Sequence, residues 1–151
     1  MQKYEGYGVD ISKMTLKEAA YQNLYQMIQK SNSALREEIT AYYEENKHDT
    51  PYLSEETAFY DFCEDWYENE ANLGSGIEQV ITDFINEQEF GNTPRFACED
   101  YIIHVPANIP VDETDKAQFP TQNQIAEILR KYLSPLYKTT GNITWYIIHL
   151  D

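Results

Sequence analysis

The sequence predicts an α+β fold, on three observations. Five segments carry the 3.6-residue apolar period of amphipathic helices. Two segments, with a weaker third near the N-terminus, have the β-branched and aromatic content of strands. The two kinds are segregated along the chain, whereas a doubly wound α/β sheet would alternate them. The expected order is four N-terminal helices followed by a strand–helix–strand unit that forms a small sheet. A length of 151 residues with 42% hydrophobic content suits a single domain, 1–151, with one core. Within it we expect an acidic helical part over about 33–91 and a strand–helix–strand part over about 96–150.

Each element has its own signal. Tyr4 to Ile11 is the weaker strand. Thr15 and Glu18 have capping-box spacing and are expected to open the first helix, with Leu16, Ala20, Leu24, Met27 and Ile28 apolar. Ser33 is placed to cap a second helix that turns Leu35, Ile39 and Tyr42 inward. Pro51 and Ser54 break and restart the chain, and the third helix puts Phe59, Phe62, Cys63 and Trp66 on one stripe. Ser75 and Glu78 repeat the capping-box spacing ahead of Ile77, Val80, Ile81, Phe84 and Ile85, and Gly91 ends that helix. Tyr101 to Val105 reads as a strand bounded by Pro106. Thr121 and Gln124 open a fifth helix carrying Ile125, Ile128, Leu129, Tyr132 and Leu133, and Pro135 stops it. Ile143 to Leu150 is the last strand.

Chemistry-bearing motifs are missing. The chain has no phosphate loop, no GxGxxG, no HExxH, no GxSxG and no EF-hand loop. Cys63 and Cys98 stand alone without CxxC spacing, so no disulfide is expected in a reducing compartment. Tyr101–His104 and Tyr146–His149 share the string Tyr-Ile-Ile-His. If their strands pair, His104 and His149 could meet, with Asp100 completing a metal site. We read them instead as ordinary strand histidines and expect no metal, no cofactor, no catalytic residue and no enzymatic activity. No apolar run reaches the roughly 18 residues of a membrane helix. Met1–Gly6 has no apolar stretch like that of a signal peptide. A cytoplasmic location is therefore expected.

Charge is the distinctive property. The formal net charge is −15, from 26 acids against 11 bases. Residues 37–100 hold 18 of the acids and only Lys47 and Arg95 as bases, so the rest of the chain is close to neutral. Such a balance argues against direct binding to nucleic acid or to an anionic membrane, where a basic face is needed. The third helix is densest, with Glu55, Glu56, Asp61, Glu64, Asp65, Glu68 and Glu70 within 16 residues. At about 1.5 Å of rise per residue this is roughly one charge per 3.4 Å, near the linear density of one DNA strand. Asp61, Glu64, Asp65 and Glu68 form a stripe turned away from Phe59, Phe62 and Trp66. Like charges at this spacing oppose helix formation, which points to a binding role. The expected partner-binding set is Glu37, Glu38, Glu44, Glu45, Glu55, Glu56, Tyr60, Asp61, Glu64, Asp65, Tyr67, Glu68, Glu70, Asp83 and Glu87. Tyr42, Tyr43 and Tyr52 lie in the same segment, and tyrosine supplies interface area at low entropy cost.

In size, acidity and lack of catalytic motifs the chain resembles anti-CRISPR and anti-restriction proteins of phages and mobile elements, some of which mimic DNA. The resemblance is one of properties across the whole chain. It implies an inhibitor acting in the host cytoplasm on a basic, nucleic-acid-binding protein such as a CRISPR effector, nuclease or restriction enzyme. An immunity protein or antitoxin against a basic toxin has the same electrostatics. A small-molecule-binding or enzymatic domain with a site near the two strands, and an adaptor binding through an apolar groove, are the remaining alternatives.

Overall fold

The strand Gln2–Asp10, β1, is the centre of the sheet rather than its weakest member. In the computed structural model the described residues are 2–52, 54–68, 76–91, 93–107, 119–139 and 141–150, without the side chains of Gln2, Trp66, Tyr67, Glu68 and Leu150. After β1 and a short 3-10 turn at Ile11–Lys13 come four helices: α1 (Ala20–Gln29), α2 (Leu35–Asn46), α3 (Glu55–Glu68) and α4 (Gly76–Phe90). Strands β2 (Ala97–Glu99) and β3 (Ile102–Pro106), helix α5 (Gln122–Leu133) and strand β4 (Thr144–Leu150) complete the order. The class is α+β, with an antiparallel four-stranded sheet of order β2-β3-β1-β4. The expected order of four helices followed by strand–helix–strand is corrected. A strand precedes the helices, and a hairpin rather than a single strand precedes α5.

Both differences have local causes. Gly6 and Gly8 weaken the strand signal of β1, yet the sheet needs them there. A Cβ on Gly6 would overlap the Val105 carbonyl, and one on Gly8 would crowd His104. Strand β2 has three residues and joins β3 through Asp100 and Tyr101, both in the left-handed region at φ 53° and 62°. A two-residue hairpin demands that conformation, but its usual Asn-Gly or Asp-Gly signature is absent, and Tyr101 sits in the turn rather than in the strand. The Ile11 amide donates to the Tyr101 carbonyl at 2.9 Å and holds the turn.

Capping follows expectation at two helices and departs from it at two. Thr121 and Gln124 form a reciprocal box at α5. Ser54 Oγ accepts the Thr57 amide at the start of α3. The Thr15–Glu18 pair does not open α1, which begins at Ala20 without a side-chain cap. Its backbone is used elsewhere: the Lys17 amide donates to the Leu136 carbonyl, and the Lys138 amide to that of Thr15, each at 2.8 Å. At α2, Ser33 Oγ accepts the Leu35 amide while Glu87 Oε2, from α4, accepts the Ala34 amide at 2.8 Å. Ser75 lies outside the described residues. Gly91, at φ +58°, terminates α4.

One face of the sheet carries Val9, Ile103, Val105 and Cys98, and α4 and α5 cover it. On its other side α4 packs against α1 and α3, and α2 packs on α3. The α3–α4 crossing is so close that a Cβ on Gly76 would overlap the Cys63 carbonyl. A continuous cluster runs from Leu24, Ile28, Phe59 and Phe62 through Ile81, Phe84 and Ile85 to Leu129 and Ile103. Cys63 and Cys98 are buried free thiols. The amide side chain of Asn86 binds the Arg95 and Phe96 backbone and anchors the approach to β2.

Candidate functional site

Helix α3 lies between α1 and α2 with its back against α4, so its acidic stripe is framed by two neighbouring helices. Glu64 and Asp65 are exposed, and Glu55, Glu56 and Asp61 are half-buried along the flanks. Each is held by a neutral donor from another part of the chain. Tyr21 of α1 donates its hydroxyl to Glu64 Oε1 at 3.0 Å. Tyr42 of α2 donates to Asp65 Oδ2, and Tyr52 donates to Asp61 Oδ2 at 2.8 Å. Thr40 donates to Glu55 Oε1 at 2.6 Å, and burial followed by the Glu55 charge raises the Tyr25 hydroxyl above the ordinary phenol value. Gln26 reaches Glu56 Oε2 at 3.5 Å. Among the described residues no lysine or arginine forms an ion pair with an α3 carboxylate.

This arrangement explains how so many like charges share one helix. Burial, and then the adjoining carboxylates, push the Tyr21 and Tyr42 hydroxyls far above the ordinary phenol value. Those protons therefore stay in place and remain available to donate. A hydrogen bond from a neutral phenol satisfies part of a carboxylate without cancelling its charge. Each carboxylate has about four lone-pair sites, and one phenol occupies one of them.

The tyrosines of the acidic segment have partners within the protein. Tyr42 and Tyr52 direct their hydroxyls into the protein's own acids, and Tyr43 packs beside Tyr52. Tyr60, 52% exposed and tilted against Tyr21 at 4.7 Å, is the α3 tyrosine that faces outward among the described residues. It lines a groove of about 670 Å³ between α1 and α3, together with Lys17, Glu18, Tyr21 and Glu56. Tyr21 and Tyr25 are participants that sequence reading missed. Their one signal is the i, i+4 spacing beside the apolar stripe of α1, and nothing in the sequence places them against residues some 30 to 43 positions away.

The remaining predicted residues divide into two groups. Glu37, Glu44 and Glu45 are exposed on α2, and Lys47 pairs with Glu44 at 2.6 Å. Glu38 faces Asp83 and Glu87 across the α2–α4 seam, and burial followed by those two charges raises its carboxyl above the usual range. Asp83 and Glu87 are half-buried, and Glu87 spends an oxygen on α2, so neither joins the α3 stripe. The side chains of Tyr67 and Glu68, and all of Glu70, lie outside the described residues. Among the described residues the flank base Lys131 pairs with Glu89 of the acidic segment at 3.1 Å, where Tyr132 also donates.

The condition under which His104 and His149 would meet is not fulfilled. β3 and β4 do not pair, because β1 lies between them. The registers put His104 level with Gly8 and Thr144, whereas His149 is level with Lys3 on the opposite face. His104 is fully buried and bonds Glu99 through Nε2 at 3.0 Å, with Tyr4 edge-on. Among the described residues no group of three or more His, Cys, Asp or Glu could hold a metal ion. Nor is any helix among them long and apolar enough to cross a membrane.

No protein-family model matches the chain, and no curated protein or solved structure is similar to it. The functional reading therefore rests on the geometry of the α1–α2–α3 face.

Proposed function

We propose that this protein is an inhibitor that binds a basic, nucleic-acid-binding protein through the α1–α2–α3 face and blocks its DNA or RNA site. The supporting observation is the row of α3 carboxylates pinned by tyrosine hydroxyls and, among the described residues, free of lysine or arginine partners. A groove built for phosphates presents lysines and arginines, which lose counterions when a polyanion enters. Carboxylates in fixed positions enter at lower entropic cost than mobile ones. Tyr60 adds an exposed ring against which a guanidinium can stack. The absence of catalytic motifs agrees with an inhibitor that acts by occupancy.

The test is affinity capture from host lysate on immobilised protein. Salt should be compared at about 0.05 M and about 0.5 M, where the screening length falls well below 10 Å. The expected result is a captured basic protein that high salt releases and that double-stranded DNA displaces. The combined variant Asp61→Lys, Glu64→Lys, Asp65→Lys should capture nothing while keeping its helical circular dichroism. Capture that survives this reversal, or that DNA does not compete, would overturn the proposal.

A further inference from the structure

The edge of the sheet carries a second surface, remote in character from the acidic helices. β4 hydrogen-bonds to β1 along an unbroken register from Gln2–Leu150 to Gly8–Thr144. On its other side there is no strand among the described residues. Such edges expose a row of N–H and C=O groups, and proteins protect them with charges, proline or bulges. The β4 sequence, Thr-Trp-Tyr-Ile-Ile-His-Leu, contains no Asp, Glu, Lys, Arg or Pro. Its register has no bulge. Trp145 and Ile147, on the same face, are 47% and 53% exposed. Tyr7 packs edge-on against Trp145 at 5.1 Å and fixes that ring at the surface.

Charge selects the occupant. Most of the molecule repels a second copy, because the chain carries −15. β4 belongs to the part that is nearly neutral and has no formal charge of its own. Two copies can therefore approach at β4 with less repulsion than through the helices. An identical strand is also self-complementary when paired antiparallel about a two-fold axis. We propose that two copies of this chain pair β4 to β4, joining their sheets into one continuous sheet. The register that keeps all seven residues paired is centred on Ile147, which then faces its own copy, with Trp145 opposite His149.

Sedimentation analysis over micromolar to sub-millimolar protein tests this. The mass should move from 17.7 kDa toward twice that value as concentration rises. Added salt should favour the dimer, since it screens self-repulsion; the acidic face responds to salt in the opposite sense, so the two proposals fail separately. Ile147→Lys places two ammonium groups across the axis and should stay monomeric, with the circular dichroism of the wild type and a melting temperature that no longer rises with concentration. Under mild oxidation Ile147→Cys should cross-link to itself much faster than Thr50→Cys, in the exposed segment that follows α2, while buried Cys63 and Cys98 stay unreacted. A wild-type protein that remains at 17.7 kDa throughout, a dimer that survives Ile147→Lys, or equal cross-linking at positions 147 and 50 would each overturn the proposal.

Discussion

Tyr21 and Glu64, 43 positions apart in sequence, meet at 3.0 Å where α1 lies along α3. The phenol gives the carboxylate a donor without neutralising it, and Tyr42 does the same for Asp65 from the opposite side. Helix α3 is thereby stitched to both neighbours by its own acids. Charges that would weaken an isolated helix here hold three helices in register.

These bonds should be measurable singly. Tyr21→Phe and Tyr42→Phe remove one hydroxyl each and leave the ring packing intact. Each should lower unfolding stability by about 1 kcal/mol, the typical net value of such a hydrogen bond, in a urea titration with unchanged slope. Variants indistinguishable from wild type would mean that the phenols do not tether the acids.

Stability should decline from mildly acidic to mildly alkaline pH. Burial raises the carboxyls of Glu38, Glu78 and Asp83 above the usual range. For Glu78 the negative charge of Glu64 adds to the effect, and its Oε2 is buried with no hydrogen-bond partner among the described residues. The folded state therefore holds these protons more tightly than the unfolded chain. That contribution is fully present below the ordinary carboxylate range, about 4, and is lost as pH rises through the elevated values. Thermal melts should give a higher midpoint at about pH 5 than at about pH 8. Glu78→Gln should raise the midpoint at the higher pH and shrink the difference. A midpoint that climbs with pH would contradict the assignment.

Asn86 is the side chain whose loss should cost most per atom. Its Oδ1 accepts the Arg95 and Phe96 amides at 3.1 and 2.8 Å, and its Nδ2 donates to the Phe96 carbonyl at 2.9 Å. Asn86→Ala takes this partner from the Phe96 amide and carbonyl, while the Arg95 amide keeps the Thr93 carbonyl at 2.9 Å, and should destabilise the protein by roughly 2–4 kcal/mol. Hydrogen exchange should show the β2–β3 hairpin opening first. A loss under about 0.5 kcal/mol, the range of ordinary surface changes, would show that the clasp is dispensable.

Helices were legible because their signals are local. The apolar stripes of α1 to α5, the box at Thr121 and the Ser54 cap depend on residues three or four apart, and so does the acidic stripe of α3. Sheet topology was not legible to the same degree. Gly6 and Gly8 make β1 look weak by propensity, although close approach to β3 requires them, and the Asp100–Tyr101 turn lacks the residues that usually announce a hairpin. The Thr15–Glu18 box has correct spacing but loses to the backbone of residues 136–138, more than a hundred positions away.

Composition established a polyanionic segment of neutral-flanked helices, because counting charges needs no coordinates. Tertiary packing alone decided which acids share a surface, sending Asp83 and Glu87 to the α2–α4 seam and leaving Glu64 and Asp65 outward. It also made Tyr42 and Tyr52, and Tyr21 from outside the acidic segment, donors to those acids. A hydrogen bond is directional and reaches about 3 Å, so its partner is set by how helices pack, and helical periodicity carries no record of that.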